Sequence, residues 1–425
     1  MSGDAKGDAN GDWALGIDVG TGGVRAALLD KEGEVVAEAS APMSEFGEDR
    51  RDPSIWRAAL AAALDRLGGA ADLARVGAAA VDGTSGTVLA LDDDGAPIGE
   101  ALMYDDAVDD EALVAAVSRA APRESAAHGA ASALARAMVL QDRPGAARIV
   151  HQADWIAELL RGAPGPSDAS NALKTGYDAA AGRWPDWLDE TPMRRAMLPE
   201  VVAAGAATGR TAGGFGLPAE ATLAAGVTDG CASFLATGAT EPGDGVTALG
   251  TTLTLKLLSD RPIFAPEFGI YSHRIGDVWL AGGASNTGGG ALASVFPPER
   301  IEALSAEIEP DGESGLDYYP LAKPGERFPL ADPALEPRMG PRPEDDGLYL
   351  KGLLEGIARI EAEGYAKLAA LGAPRLKTLR TVGGGAGNDA WTTIRRRIVG
   401  AEMRAARSTS AAAGVARLAL PHLSA

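Results

Sequence analysis

Cysteine, histidine and positive charge are all scarce in this sequence, and each scarcity narrows what the chain can do. Its 425 residues hold one cysteine, Cys231, so neither an internal disulfide nor a multi-cysteine zinc site can form. The four histidines are scattered without ligand spacing. Lysine and arginine total 39 against 59 aspartates and glutamates, a formal charge of −20. That excess argues against nucleic acid or an anionic membrane as partner, since both reward basic patches. No uncharged apolar run reaches the roughly 18 residues needed to span a bilayer. The opening MSGDAKGDANGD lacks the apolar core of a signal peptide and the arginines of a transit peptide, and residues 1–12 read as a disordered tail. A reducing, cytoplasmic setting fits best, or a chloroplast stroma had a transit segment been removed.

Glycine, by contrast, is plentiful, and it is grouped at turns. The opening alternates strand and turn: LGIDV, GTGG, VRAALLD, KEGE, VVAEASA, which predicts a three-stranded antiparallel meander. DPSIWRAALAAALDRLGG follows, with Asp52 as N-cap, Pro53 in the first turn, and Trp56, Leu60, Leu64 and Leu67 on one face, a helix expected to end at Gly68. RVGAAAVDGTSGTVLALDDDG is strand, turn, strand, and HQADWIAELLRG a short helix. Later, GVTALGTTLTLKLLSD repeats the opening pattern. A long helix, GLYLKGLLEGIARIEAEGYAKLAALG, then precedes a strand LRTVGGG and a helix NDAWTTIRRRIVG. The chain therefore reads as a duplicated α/β fold of two domains, residues 13–236 and 237–425, with a cleft between them and the last helix packing back on the first. Residues 310–346, rich in proline and charge and without period, read as an extended surface excursion.

The turns carry the chemistry. Gly20, Thr21, Gly22 and Gly23 allow several backbone N–H groups to converge on one point, a nest suited to phosphate. Asp18 would face the same phosphates, and Mg²⁺ with its waters would resolve the repulsion. One such turn in isolation is equally a plain hairpin. Gly250, Thr251 and Thr252 present a like set in the second half, so that two nests could grip one polyphosphate. No Gly-Lys dipeptide occurs, which excludes a Walker loop, and the Gly20 turn leads into a strand where a dinucleotide site needs a helix. In TVGGGAGNDAW, Gly384, Gly385 and Asn388 could bring backbone against adenine and ribose, or simply turn a strand into a helix. Asp229, in GVTDGCASF, is a general base or an N-cap. Asp82, Thr84 and Ser85 form a polar turn suited to a polyol.

GIDVGTGGVRAALLD, DGTSGTVLALD, GVTDG, LGTTLTLKLLS and GGGAGND, in that order, resemble the FGGY carbohydrate kinases of the actin-like ATPase superfamily. Within that family DGTSGTVL, HQADWI, SDASNALKTGYD, YSH, GGASNTGGG and SGLDYYPL with GERFP are similar to the cyanobacterial and plant D-ribulose kinases. The resemblance implies two RNase H-like domains, ATP and Mg²⁺ as cofactors, and phosphorylation of D-ribulose, with D-xylulose as the alternative ketose. It further implies that Asp229 takes the proton from the sugar hydroxyl, that Asp18 holds Mg²⁺ through water and touches the sugar, and that Asp82 and Ser85 receive ketose hydroxyls. Gly20, Thr21, Gly22, Gly250, Thr251 and Thr252 would contact phosphate, and Gly384, Gly385 and Asn388 the nucleoside. Two departures stand out: Gly23 replaces a common serine, and MYDDAVDD lacks the arginine usual further on. A non-catalytic, sugar-responsive ATP-binding protein, or an ATPase of the actin type, are the rival readings.

Overall fold

A computed structural model describes residues 11–423; most of the expected disordered tail, residues 1–10, lies outside the described residues. Asp12 is already ion-paired, with Lys31 at 3.4 Å and Arg75 at 3.2 Å. The chain divides into two compact units. One runs to Gly238 and takes in His273–Gly276 and the chain from Ser408; the other comprises Ala239–Ser272 and Asp277–Arg407.

In the first unit β1 (Trp13–Val19), β2 (Gly23–Leu29) and β3 (Val35–Pro42) form the antiparallel meander that the strand-turn alternation predicts. β4 (Val76–Gly83) joins β1 in parallel, the strand Ala219–Thr228 joins β4 in parallel, and Ala207–Ala212 closes the far edge. Every residue of β1 is buried, as expected of a strand covered on both faces. One cover is α1 (Pro53–Ala70), capped by Asp52, whose carboxylate accepts from Ser54 N at 2.8 Å. Trp56, Leu60, Leu64 and Leu67 are fully buried, each worth about 1.5–3 kcal/mol over exposure, so Leu64→Ala would cost about 2–5 kcal/mol. The helix runs on to Ala70, past the expected stop at Gly68, because a glycine in a helix is a modest cost that good neighbours outweigh.

The other cover is the short helix Ala411–Ala416, made of small residues for a reason. A Cβ on Gly16 of β1 would lie 1.9 Å from Ala412 O, and one on Gly414 would lie 1.9 Å from Ala232 O. Backbone thus meets backbone on both sides of this helix, which wedges the helix Asp229–Ala236 in place.

The second unit repeats the plan. Val278–Ser285, Leu253–Ser259 and Asp244–Leu249 pair antiparallel, and Thr378–Val382 and Glu402–Arg404 add in parallel. The long helix Asp346–Ala370 buries Leu350, Leu353, Ile357, Ile360 and Leu368. Residues 310–346 are irregular and mostly exposed, as an extended surface excursion would be, but they are anchored at a few points. Tyr318, Leu321 and Phe328 are buried, and the Phe328 ring fills the space over two glycines, 2.6 Å from a Cβ position at Gly283 and 2.9 Å from one at Gly364. The segment shows no period because isolated anchors and short bridges, Tyr319 with Arg338 and Glu326 with Asp332, hold it in place of a helix or strand. No described helix is long and apolar enough to cross a membrane.

Candidate active site

Three carboxylates converge at the carboxyl ends of adjacent strands of the first unit, where open α/β sheets place ligands. Asp18 and Asp82 are register partners on β1 and β4. The strand Ala219–Thr228 reaches the same level through a bulge: its register shifts between Ala224 and Val227, where a Cβ on Gly226 would lie 1.7 Å from Val81 O. Val227 then pairs with Asp82 and Thr228 with Gly83, so Asp229 emerges beside them. Asp229 is the first residue of the helix Asp229–Ala236, and Thr228 occupies the N-cap position. The half-buried Asp229 carboxylate accepts from Gly230 N at 2.6 Å, in the first turn, where the helix dipole favours negative charge. Ser170 Oγ accepts from Thr228 N at 3.0 Å and donates to Asp168 at 2.5 Å, which fixes the approach to Asp229.

Asp18 accepts from Arg25 Nη1 at 3.0 Å. Asp82 differs from expectation: it lies on β4 itself, fully buried, and neither carboxylate oxygen has a hydrogen-bond partner among the described residues. Burial, then the neighbouring Asp18 carboxylate, pushes its acid well above the usual range, with Asp229 adding to the effect. Two ionised carboxylates offer each other only acceptors, whereas a proton on one makes the pair donor and acceptor. Asp82 therefore has no surface for a polyol and sits behind Asp18.

Ser85 does reach the site, half-buried, its Oγ without a partner. Thr84 is spent internally, on Thr87 Oγ1 at 2.5 Å and Gln152 Oε1 at 2.8 Å. Two cations hold this turn by its carbonyls, and composition and spacing pointed to neither. Arg136 Nη2 donates to Gly86 O at 2.8 Å, and Lys174 Nζ to Ser85 O at 3.3 Å. Arg136 is fully buried with carbonyls as its acceptors, and burial lowers its pKa to about 10. In MYDDAVDD, Asp105 and Asp106 pair with Arg50 and Arg51 at 3.0 and 2.6 Å.

No group of three or more acidic, histidine or cysteine side chains among the described residues could cage a metal. One carboxylate, Asp18, beside the unpartnered oxygens of Asp82, suits Mg²⁺, which keeps its waters and takes its other ligands from substrate phosphates.

The two Gly-Thr turns are built differently. In the first, Gly20 N donates to Gly23 O and Met43 N to Gly22 O, both at 3.0 Å, and Gly22 is exposed with open space over it. Gly23 has a steric cause: a Cβ there would lie 2.7 Å from Ala41 O of β3. In the second, Gly289 N donates to Gly250 O at 2.8 Å and Gly290 N to Thr251 O at 2.9 Å. The carbonyls are thereby turned inward, leaving the exposed Gly250–Thr251 rim to donors. The glycine loop is in turn held by Glu326, which accepts from Asn286 N at 2.8 Å, Ser285 Oγ at 2.5 Å and Tyr319 OH at 3.1 Å. The surface excursion is thus also a brace for this turn.

A cavity of about 570 Å³ opens beside it in the second unit, lined by Leu249, Gly289, Ile301, Gly384, Gly385 and Trp391 among others. Gly384 faces open space, while Gly385 is required by packing, since a Cβ would meet the Trp391 ring at 2.7 Å. Asn388 borders the cavity, but its side chain is occupied: Oδ1 accepts from Trp391 N at 2.9 Å and Nδ2 donates to Ser305 Oγ at 2.8 Å. The structure therefore gathers Asp18, Asp82, Ser85, Asp229 and the Gly20–Gly22 turn in one unit, and Gly250–Thr252, Gly384, Gly385 and Asn388 in the other.

No protein-family profile matches the chain. It is 29% identical to the xylulose kinase of Streptomyces rubiginosus over 434 aligned residues, covering 94% of this chain and 85% of that protein. Among solved structures it is similar to xylulose kinase from Bifidobacterium adolescentis, with TM-score 0.79, 20% identity and coverage of 96% and 92%. It is likewise similar to Plasmodium falciparum glycerol kinase with ADP, with TM-score 0.80, 17% identity and coverage of 96% and 89%. The two-sheet α/β fold is the one these sugar-kinase structures share.

Proposed function

We propose that this chain is an ATP-dependent sugar kinase that phosphorylates the terminal hydroxyl of a ketopentose. The observation that carries this reading is Asp229: a half-buried carboxylate at a helix start, level with Asp18 and Asp82 on neighbouring strands. D-Xylulose takes precedence as acceptor, since the similar curated protein is a xylulose kinase and the likeness covers 94% of this chain. D-Ribulose is the second reading, supported by the stretches DGTSGTVL, SDASNALKTGYD and DYYPL with GERFP.

In this reading Asp229 accepts the proton of the acceptor O–H as that oxygen forms its bond to the γ-phosphorus. The bond from the γ-phosphorus to the bridging β-γ oxygen breaks, and ADP leaves. Little covalent work falls to the protein, so positioning and charge neutralisation dominate, and a base adds about 10²- to 10⁴-fold. Thr21, Thr251 and Thr252 supply hydroxyl and N–H donors to phosphate, Ser85 receives a sugar hydroxyl, and the cavity lined by Gly384 takes the nucleoside. When bound, Mg²⁺ held through water by Asp18 would neutralise phosphate charge.

A coupled ADP-release assay over a panel of ketopentoses and polyols tests this. The expected result is turnover that depends on D-xylulose or D-ribulose, and their ratio decides between the two. ATP turnover indifferent to every sugar would favour an actin-type ATPase, and sugar binding without turnover a sugar-responsive ATP-binding protein.

A further inference from the structure

We propose that Lys174 is a substrate-binding residue of the acceptor site, its ammonium gripping an oxygen of the ketose beside the Ser85 hydroxyl and steadying the sugar for Asp229. This rests on the sugar-kinase reading.

The run SDASNALKT connects the two halves of the site. At one end Ser170 Oγ holds Thr228 N at 3.0 Å, the residue before Asp229; at the other Lys174 Nζ holds Ser85 O at 3.3 Å. The run is rigid between them. Asp168 accepts from Ser170 N at 2.7 Å, Asn171 N at 3.2 Å and Asn171 Nδ2 at 2.6 Å, and Thr175 Oγ1 meets His151 Nε2 at 2.9 Å. The lysine stem passes over Gly86, its Cδ 3.3 Å from a Cβ position there, so the ammonium is delivered to one place.

What it finds there is incomplete. Among the described residues Lys174 makes one hydrogen bond, a long one to a carbonyl, and no ion pair, leaving two of its three N–H donors unused. The Oγ of Ser85, the residue whose carbonyl the lysine holds, is buried and also lacks a partner. Unspent donors and acceptors on a half-buried cluster are costly unless a ligand takes them. A polyhydroxy ketone, each hydroxyl both donor and acceptor, matches that inventory, whereas an apolar ligand would leave all of it unpaired. Burial lowers the pKa of Lys174 and the charge of Asp229 raises it again, which places the ammonium within the electrostatic reach of that carboxylate.

Steady-state kinetics of Lys174→Met, Lys174→Arg and Ser85→Ala, varying ketose and MgATP separately, test the assignment. Lys174→Met is expected to raise the ketose KM about 10- to 100-fold while the ATP KM moves less than about twofold, with partial recovery in Lys174→Arg. The Lys174→Met and Ser85→Ala effects should be non-additive, as for groups sharing one ligand. Thermal shift supplies the readout free of turnover: the ketose-induced rise in Tm should vanish in Lys174→Met and the ATP-induced rise persist. Equal ketose shifts in wild type and Lys174→Met, or equal changes in both KM values, would overturn the role of the lysine alone. A wild type whose Tm responds to no ketose would overturn the sugar-kinase reading, and this assignment with it.

Discussion

The two units share one strand plan and differ in what stands at the strand ends. In the first, the register partners just before the turn are Asp18 and Asp82; in the second, the corresponding partners are Ala248 and Val382. Both strands then turn at a Gly-Thr, Gly20-Thr21 and Gly250-Thr251. The scaffold is the same, but of these register partners only those of the first unit are carboxylates, and a partly apolar cavity opens beside the turn of the second. The difference is chemical. An acceptor hydroxyl needs a base and polar contacts, whereas a nucleotide needs donors for its phosphates and a dry surface for its base, and a fixed carboxylate there would repel it.

Three changes would break or sharpen that contrast. The largest effect is expected from Asp229→Asn, which keeps the shape and removes the base: kcat should fall about 10²- to 10⁴-fold with little change in either KM, read in the ADP-release assay. Activity near that of the wild type would show that the carboxylates of the first unit serve another purpose. Next, Ala248→Asp would give the second unit the residue it lacks. Repulsion between the new carboxylate and nucleotide phosphate should raise the ATP KM about tenfold and leave the ketose KM unchanged, measured by titrating each substrate against the variant. An unchanged ATP KM would detach the second turn from phosphate binding.

The smallest effect concerns Asp82. Because its folded pKa is raised above the ordinary 3.8, the folded chain keeps a proton there that the unfolded chain has lost, and wild-type stability declines as pH rises above that value. Asp82→Asn removes this dependence. The variant should match the wild type near pH 4 and melt about 1–3 °C higher near neutral pH, by thermal denaturation across that range. A constant difference at every pH would mean that Asp82 is as charged folded as unfolded.

Much of this contrast was legible in the chain itself, and the parts that were not share a cause. The meander, the buried stripe of α1 and the long helix follow from periodicity, which is a local property. The two Gly-Thr turns were legible because a turn must be written in residues that tolerate it. The burial of Asp82 was not, since a strand end and a turn start look alike in sequence and only the second face of the sheet decides which is covered. The bracing role of residues 310–346 was hidden for a similar reason: Glu326 and Phe328 act through single long-range contacts that leave no period. SDASNALKT stands out as a run, but the place of Lys174 also depends on His151 and Gly86, both contributed from elsewhere in the chain.

By itself, then, the sequence determined the α/β class, the two Gly-Thr turns and the candidate base, because each is set by neighbours a few residues apart. The tertiary structure decided which acids are buried and which is half-buried, how a bulge at Gly226 brings Asp229 level with Asp18, and which cations hold the Ser85 turn. Those outcomes depend on register, desolvation and close backbone approach, and such quantities exist only once distant segments have met.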